Sequence, residues 1–167
     1  MQKIGLLSDT HGFLNERIIK FFENCDQIWH SGDIGSLEVA DKLMKMKPLK
    51  AVYGNIDDYI IRKTFPLVQS FYCEDVKVLM THIGGYPGHY EKTIKPLLEE
   101  EKPRIFVSGH SHILKIIYDK KYNLLHLNPG AAGNSGFHQM ITALRFSIEG
   151  SNIENMEIFE LPRKSII

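Results

Sequence analysis

Five times before residue 113 the chain runs a short apolar or β-branched stretch, breaks it with Gly, Ser, Asn or Asp, and then places a side chain able to hold a metal. The stretches are Ile4 to Leu7, Gln27 to Trp29, Leu49 to Tyr53, Val76 to Met80 and Ile105 to Val107. Their length and flanking residues predict buried strands. After them come Asp9-Thr10-His11, Gly32-Asp33, Gly54-Asn55, His82 and Gly109-His110-Ser111-His112. Open α/β sheets bind ligands beyond the carboxyl ends of their strands. Asp9, His11, Asp33, Asn55, His82, His110 and His112 are therefore expected to converge from distant parts of the sequence.

Between the early strands lie helical patterns. Leu14, Ile18, Ile19 and Phe22 recur at helical spacing, as do Leu37, Ala40, Leu43 and Met44 behind Ser36 as an N-cap. Alternation of strand and helix implies a parallel start. Gln69 to Cys73 and Val76 to Met80 read as a hairpin, so the sheet is expected to mix directions from there. Glu91 to Glu101 reads as a helix that Pro96 starts or kinks. Leu114 to Tyr118, Tyr122 to Leu127, Gln139 to Ser147 and Ile153 to Phe159 read as four strands of a second, antiparallel sheet, with turns at 119–121 and 149–152. The expected class is α/β, with two mixed sheets packed face to face and helices outside.

The ligand types agree among themselves. Imidazole nitrogen with carboxylate and amide oxygen, and no thiolate, suits manganese, iron, cobalt, nickel or zinc. Seven ligands are too many for one tetrahedral ion but suit two ions sharing a carboxylate, roughly 3.5 to 4 Å apart, as in clamps on phosphoryl transfer. Two divalent cations, two carboxylates and one hydroxide sum to a single positive charge, which attracts a phosphoester anion. In extended backbone, residues i and i+2 face the same way about 6.5 Å apart, so His110 and His112 are expected to address different ions. Asp9 and His11 converge on one ion if the chain bends there. Gly32, Gly54 and Gly109 stand where a bulkier residue would restrict the turn or block substrate.

Composition narrows the function classes. With 167 residues, 43% hydrophobic and 24% charged, the chain reads as one globular domain spanning 1–167 that builds its core without metals or disulfides. Twenty Lys+Arg balance twenty Asp+Glu, so no overall basic field exists to hold a nucleic-acid backbone. Cys25 and Cys73 lack the spacing of a zinc or redox site and read as reduced thiols of a cytoplasmic protein. Apolar runs fall far short of the roughly 20 residues that span a bilayer, and the N-terminus lacks a signal-peptide profile.

The string Asp9-x-His11, Gly32-Asp33, Gly54-Asn55, His82, Gly109-His110-x-His112 resembles the calcineurin-like metallophosphoesterases, in particular their small bacterial and archaeal phosphodiesterase branch. Asn128-Pro129-Gly130 is similar to that branch's Asn-Pro-Gly-Ser segment. The resemblance implies a four-layer α-β-β-α sandwich and two divalent cations, with manganese favoured. One ion would be held by Asp9, His11, Asp33 and His112, and the other by Asp33, Asn55, His82 and His110, with Asp33 bridging. A bridging hydroxide would attack the phosphorus of a small phosphodiester while Asn55 hydrogen-bonds a phosphate oxygen. The alternatives are a phosphomonoesterase of the same family, or a non-catalytic protein-binding scaffold like the retromer subunit that shares this fold with altered ligands. Small relatives often self-associate, so a homo-oligomer, dimer or tetramer, is admitted; no membrane is expected as a partner.

Two departures from the family pattern stand out. Larger relatives read Gly-Asn-His, with the His placed to protonate the leaving group, whereas here Ile56-Asp57 follows Asn55. Without that acid, substrates with acidic leaving groups are favoured. Asp57 and Asp58 are poor replacements, since ordinary carboxylic acids are ionised at pH 7; they read as turn caps. Ile83 stands where relatives carry Gly. Of the remaining histidines, His30 reads as a core residue or a support for a ligand, and His89 as part of a surface loop, a substrate rim or a replacement acid. His126 and His138 read as structural. Trp29, Phe21 and Phe22 read as core, and Lys42, Lys45, Lys47 and Lys50 as a solvated face.

Overall fold

A computed structural model of the chain describes residues 1–164. It contains two five-stranded sheets. In the first, β1 (Gln2–Leu7), β2 (Gln27–His30) and β3 (Leu49–Ala51) run parallel, β9 (Met140–Glu149) lies antiparallel on the other side of β1, and β10 (Asn152–Pro162) forms the edge. In the second, β4 (Val68–Cys73) and β5 (Val76–Thr81) form a hairpin, β6 (Ile105–Val107) runs parallel to β5, β8 (Leu124–Pro129) parallel to β6, and β7 (Leu114–Asp119) antiparallel to β8.

Residue alternation explains the layering, because neighbouring strand residues point to opposite faces. Ile4, Leu6, Trp29, Val78, Met80, Ile105, Val107, Leu144 and Phe146 meet between the sheets. Their neighbours face outward. Leu7, Ile28 and Ala143 pack under Ile18 of α1 (Glu16–Phe21), Val39, Ala40 and Leu43 of α2 (Leu37–Met46) and Ile61 of α3 (Tyr59–Thr64). On the opposite side Leu79, Phe106 and Leu124 pack under Ile94 and under Leu98 of α4 (Lys95–Glu101). Trp29 is fully buried between the rings of Phe71 and Phe146, and Phe22 is fully buried beside Phe21.

The helix starts follow their caps. Ser36 Oγ accepts from Val39 N at the head of α2, Asn15 Oδ1 from Arg17 N at α1, and Asp58 Oδ1 from Ile61 N at α3. Helix α3 buries Ile61 alone, too little periodicity to be read from sequence. Helix α4 starts at Lys95 and not at Glu91. Pro96 has no N–H to donate to the Lys92 carbonyl, so the regular ladder begins beyond it.

Two expectations about the sheets are corrected. The four late strands do not form a sheet of their own: β7 and β8 extend the second sheet from β6, while β9 and β10 extend the first from β1. The β4–β5 hairpin opens the second sheet instead of continuing the first. Each strand's pattern shows that one face is buried, but not which sheet edge accepts it. No described helix is long and apolar enough to cross a membrane.

Candidate metal centre

The strand-end side chains come from two sheets and not from one edge. Asp9, His11, Asp33 and Asn55 follow β1, β2 and β3, whereas His82, His110 and His112 follow β5 and β6 of the second sheet. The two carboxyl edges are stacked, and backbone hydrogen bonds lace the segments beyond them: Asp9 N to Gly32 O (2.9 Å) and His11 N to Asp33 O (3.0 Å) in one sheet, Gly109 N to His82 O (2.9 Å) in the other.

The chain turns sharply at these positions. Asp9, His11, Asp33, His110 and His112 all have positive φ, between 48° and 69°. Left-handed backbone in a side chain-bearing residue costs of order 1 kcal/mol and persists where the surroundings over-determine it. The expectation of extended backbone at His110 and His112 is therefore corrected, since both have left-handed φ, while the expectation that they address different groups holds. His112 joins Asp9 and His11, and His110 joins Asp33 and His82, each trio offering ligand atoms within 4.8 Å of one another. Gly54 is bare because a Cβ there would strike the Asp33 carboxylate.

Each acid divides its two oxygens. Asp9 Oδ2 accepts from Ser8 Oγ (2.6 Å) and His110 N (3.1 Å), leaving Oδ1 towards His112 Nε2 at 3.2 Å and His11 Nε2 at 3.7 Å. Asp33 Oδ1 accepts from Ile56 N (3.0 Å), and Oδ2 lies 3.4 Å from His11 Nε2 of one trio and 3.2 Å from His82 Nε2 of the other. His82 Nδ1 donates to Ser31 O (2.8 Å), which leaves Nε2 as the nitrogen that faces Asp33 and can take a cation in place of a proton. Asp9 Oδ1, His11 Nε2 and His82 Nε2 are buried without a hydrogen-bond partner among the described residues, though such atoms each cost about 1–3 kcal/mol unpaired. Paired trios of oxygen and imidazole donors, each with its ligand atoms gathered within 4.8 Å, fit two divalent cations.

Charges follow from this packing. Burial pushes the Asp9 carboxyl up, but His11, His112, His82 and Ser8 together hold it well below the usual carboxylate range. Asp33 is also lowered, His82 outweighing burial. In return His11 is raised, mainly by Asp9 and against burial, and His82 is raised because Asp33 and Asp9 outweigh its burial.

Several residues support the centre through contacts that the sequence did not specify. Asp57, buried, accepts from Gly54 N (2.7 Å), Gly35 N (2.8 Å) and Ile34 N (3.2 Å), clamping the segments that carry Asp33 and Asn55. Asn128 donates to Gly109 O and Ser111 Oγ, both at 3.1 Å, which ties the Asn-Pro-Gly segment to the His110–His112 turn. His30 is fully buried and pushed down to about 3 by desolvation; its Nδ1 accepts from Gly32 N (3.1 Å), so Nε2 donates to Thr10 Oγ1 (2.9 Å). His138, read in the sequence as structural, contacts His112, with Nδ1 atoms 3.2 Å apart, and burial lowers its pKa. Only three-dimensional placement could have revealed that contact. His89 packs on the ring of Tyr86 (4.9 Å), and His126 is a core residue beside Phe106.

Asn55 and His82 line a cavity of about 520 Å³ completed mainly by Tyr53, Arg62, Leu67, Ile83 and Leu97. Arg62 Nη2 donates to Asn55 O (3.0 Å) and Nε to Asp57 O (2.7 Å), while the guanidinium lies over Tyr53 (5.0 Å). The arrangement places a cation and an apolar wall beside the His82 trio.

Comparison with known proteins agrees with this geometry. The family model described as the calcineurin-like phosphoesterase superfamily domain matches residues 2–151. A protein of Methanocaldococcus jannaschii named "probable metallophosphoesterase" is 31% identical over 77% of this chain and 67% of its own length. Among solved structures, an archaeal phosphodiesterase superposes with TM-score 0.74 at 22% identity, over 95% of this chain and 99% of that one. Vps29 from Chaetomium thermophilum superposes with TM-score 0.77 at 14% identity, over 96% of this chain and 97% of that one.

Proposed function

The chain belongs to the calcineurin-like phosphoesterase superfamily, and from that premise we propose that it hydrolyses small phosphodiesters at a site for two divalent cations. The observation that carries the proposal is Asp33 Oδ2, set between His11 Nε2 of one trio and His82 Nε2 of the other. A carboxylate so placed suits a bridging ligand. Asp9, His11 and His112 would complete one ion's donors, and Asn55, His82 and His110 the other's.

Divalent cations held by these residues would supply Lewis acidity, lowering the pKa of water and offsetting phosphoester charge. The chain does the rest. Asp9 and Asp33 stay ionised because the surrounding imidazoles hold their carboxyls down. Asp57 and Arg62 hold the Asn55 segment so that its amide can orient a phosphate oxygen. The cavity beside His82 and Asn55 is sized and lined for the apolar substituent of an ester. Ile56, exposed next to Asn55, offers no proton, which favours esters whose leaving group departs readily as its anion.

Fold likeness runs alike to an archaeal phosphodiesterase and to Vps29, so the choice between hydrolase and protein-binding scaffold falls to side chains. All seven positions here carry groups able to coordinate, which supports the hydrolase. The test is an assay of metal-stripped protein with Mn²⁺, Ni²⁺, Co²⁺ or Zn²⁺ on an aryl phosphodiester and the matching monoester, with Asp33→Ala as control. Metal-dependent diester turnover that Asp33→Ala loses is expected. Faster monoester turnover would make the protein a phosphomonoesterase, and metal uptake without turnover of either ester would favour the scaffold.

A further inference from the structure

We infer that His138 is a positioning residue that holds the His112 imidazole with Nδ1 protonated and Nε2 free to bind the ion shared with Asp9 and His11. The inference rests on the two-cation reading above. It starts from an acceptor that can only accept: His138 Nε2 lies 2.8 Å from the Gly133 carbonyl, so Nε2 carries the hydrogen and donates. In the neutral ring Nδ1 is then a bare acceptor. His112 Nδ1, 3.2 Å away, must be the donor. That leaves the lone pair of His112 on Nε2, 3.2 Å from Asp9 Oδ1. A cation bound there takes the place of any proton the two atoms share.

The loop carrying His138 holds the ring in place as well. Gly136 lies against His112 at φ +130°, and a Cβ there would come within 2.6 Å of His112 Nδ1 and Cε1. Arg163 Nη1 donates to Gly136 O (2.5 Å), tying the loop to the end of β10. At the other end Ala132 N donates to Ser8 O (2.8 Å) and Gly133 N to Asp9 O (3.0 Å). One short segment thus links the backbone of one ligand, Asp9, to the ring of another, His112. His82 has its Nδ1 set by a main-chain carbonyl; at His112 an imidazole takes that place.

The test is Mn²⁺ binding alone, followed by calorimetry and by the electron paramagnetic signal of free Mn²⁺, on wild type, His138→Ala and His138→Asn. Wild type should bind two equivalents. His138→Ala should keep one and weaken the other about 10- to 100-fold, the usual consequence of losing a partner that orients a ligand. His138→Asn, whose amide oxygen replaces the Nδ1 acceptor, should recover most of the loss. Both equivalents unchanged in His138→Ala, or both weakened equally, would overturn the inference while leaving the two-cation reading intact. No Mn²⁺ uptake by wild type would overturn both. A second readout needs no variant: long-range ¹H–¹⁵N spectra of the Zn²⁺-loaded wild type should show His112 protonated at Nδ1 and His138 at Nε2. The reverse pattern overturns the inference.

Discussion

Asp9 Oδ1 and His112 Nε2 meet at 3.2 Å across the seam between the two sheets. Asp9 stands beyond β1 and His112 beyond β6, so the pair exists only when the carboxyl edges of both sheets are stacked. The other Asp9 oxygen is taken by Ser8 Oγ and His110 N, which leaves Oδ1 to face the centre.

Protons and cations compete for this centre. His11 and His82 are raised above the ordinary imidazole value in the metal-free protein, so each ring holds its proton more tightly than a free imidazole, and a cation competes with that proton. Metal affinity should therefore climb with pH from 6 to 8, with up to about two protons released per loaded centre at the acid end. Calorimetry in buffers of different ionisation enthalpy measures both. Affinity independent of pH over that range would contradict the assignment.

Asp57 is a buried carboxyl group that accepts from three main-chain N–H groups. Asp57→Ala should destabilise the fold by about 3 kcal/mol, since it leaves those donors unpaired. Cation affinity should drop with it, because the clamped segments carry Asp33 and Asn55. Urea unfolding and Mn²⁺ titration of the same variant test the two effects; a loss under about 0.5 kcal/mol would show the clamp to be dispensable.

His126 is fully buried, neither ring nitrogen makes a well-formed hydrogen bond among the described residues, and desolvation lowers it to about 4. The unfolded chain takes up a proton below about pH 6.5 that the folded one refuses, so this residue lowers stability as pH falls from there towards 4. His30, pushed down to about 3, adds a slope of the same sign. His126→Leu should raise stability at pH 7 by about 1–2 kcal/mol and remove one proton's worth of the acid slope. Denaturation curves at pH 7 and pH 5 decide it.

Departure of the leaving group without a proton donor makes turnover steeply dependent on its acidity. Aryl phosphodiesters should react much faster than alkyl ones. Ile56→His, which sets an imidazole beside Asn55, should raise alkyl diester turnover by about 10²-fold and leave aryl turnover nearly unchanged. Equal wild-type rates on the two esters would show that another group already supplies the proton.

Much of the centre was legible in the chain because its donors sit at the ends of short apolar strands, where one residue in the sequence marks one position at a sheet edge. Asp9, His11, Asp33, His82, His110 and His112 reach the two trios in that way. The supports were not legible. Nothing local distinguishes Asp57 from a turn cap or His138 from a core histidine, because each is defined by what it touches: Gly54 and Gly35 for one, His112 for the other.

Sequence alone determined the alternation of strand and helix, the buried face of each strand and the chemical type of every candidate ligand, since these depend on periodicity and side-chain chemistry within a few residues. Tertiary structure alone decided that β9 and β10 join β1 while β7 and β8 join β6, and that His110 and His112 part at a left-handed turn. The reason is physical. Any apolar strand face can be buried against either sheet, and a left-handed turn at His110 is held by contacts with Asp9 and Asn128 that come from far along the chain.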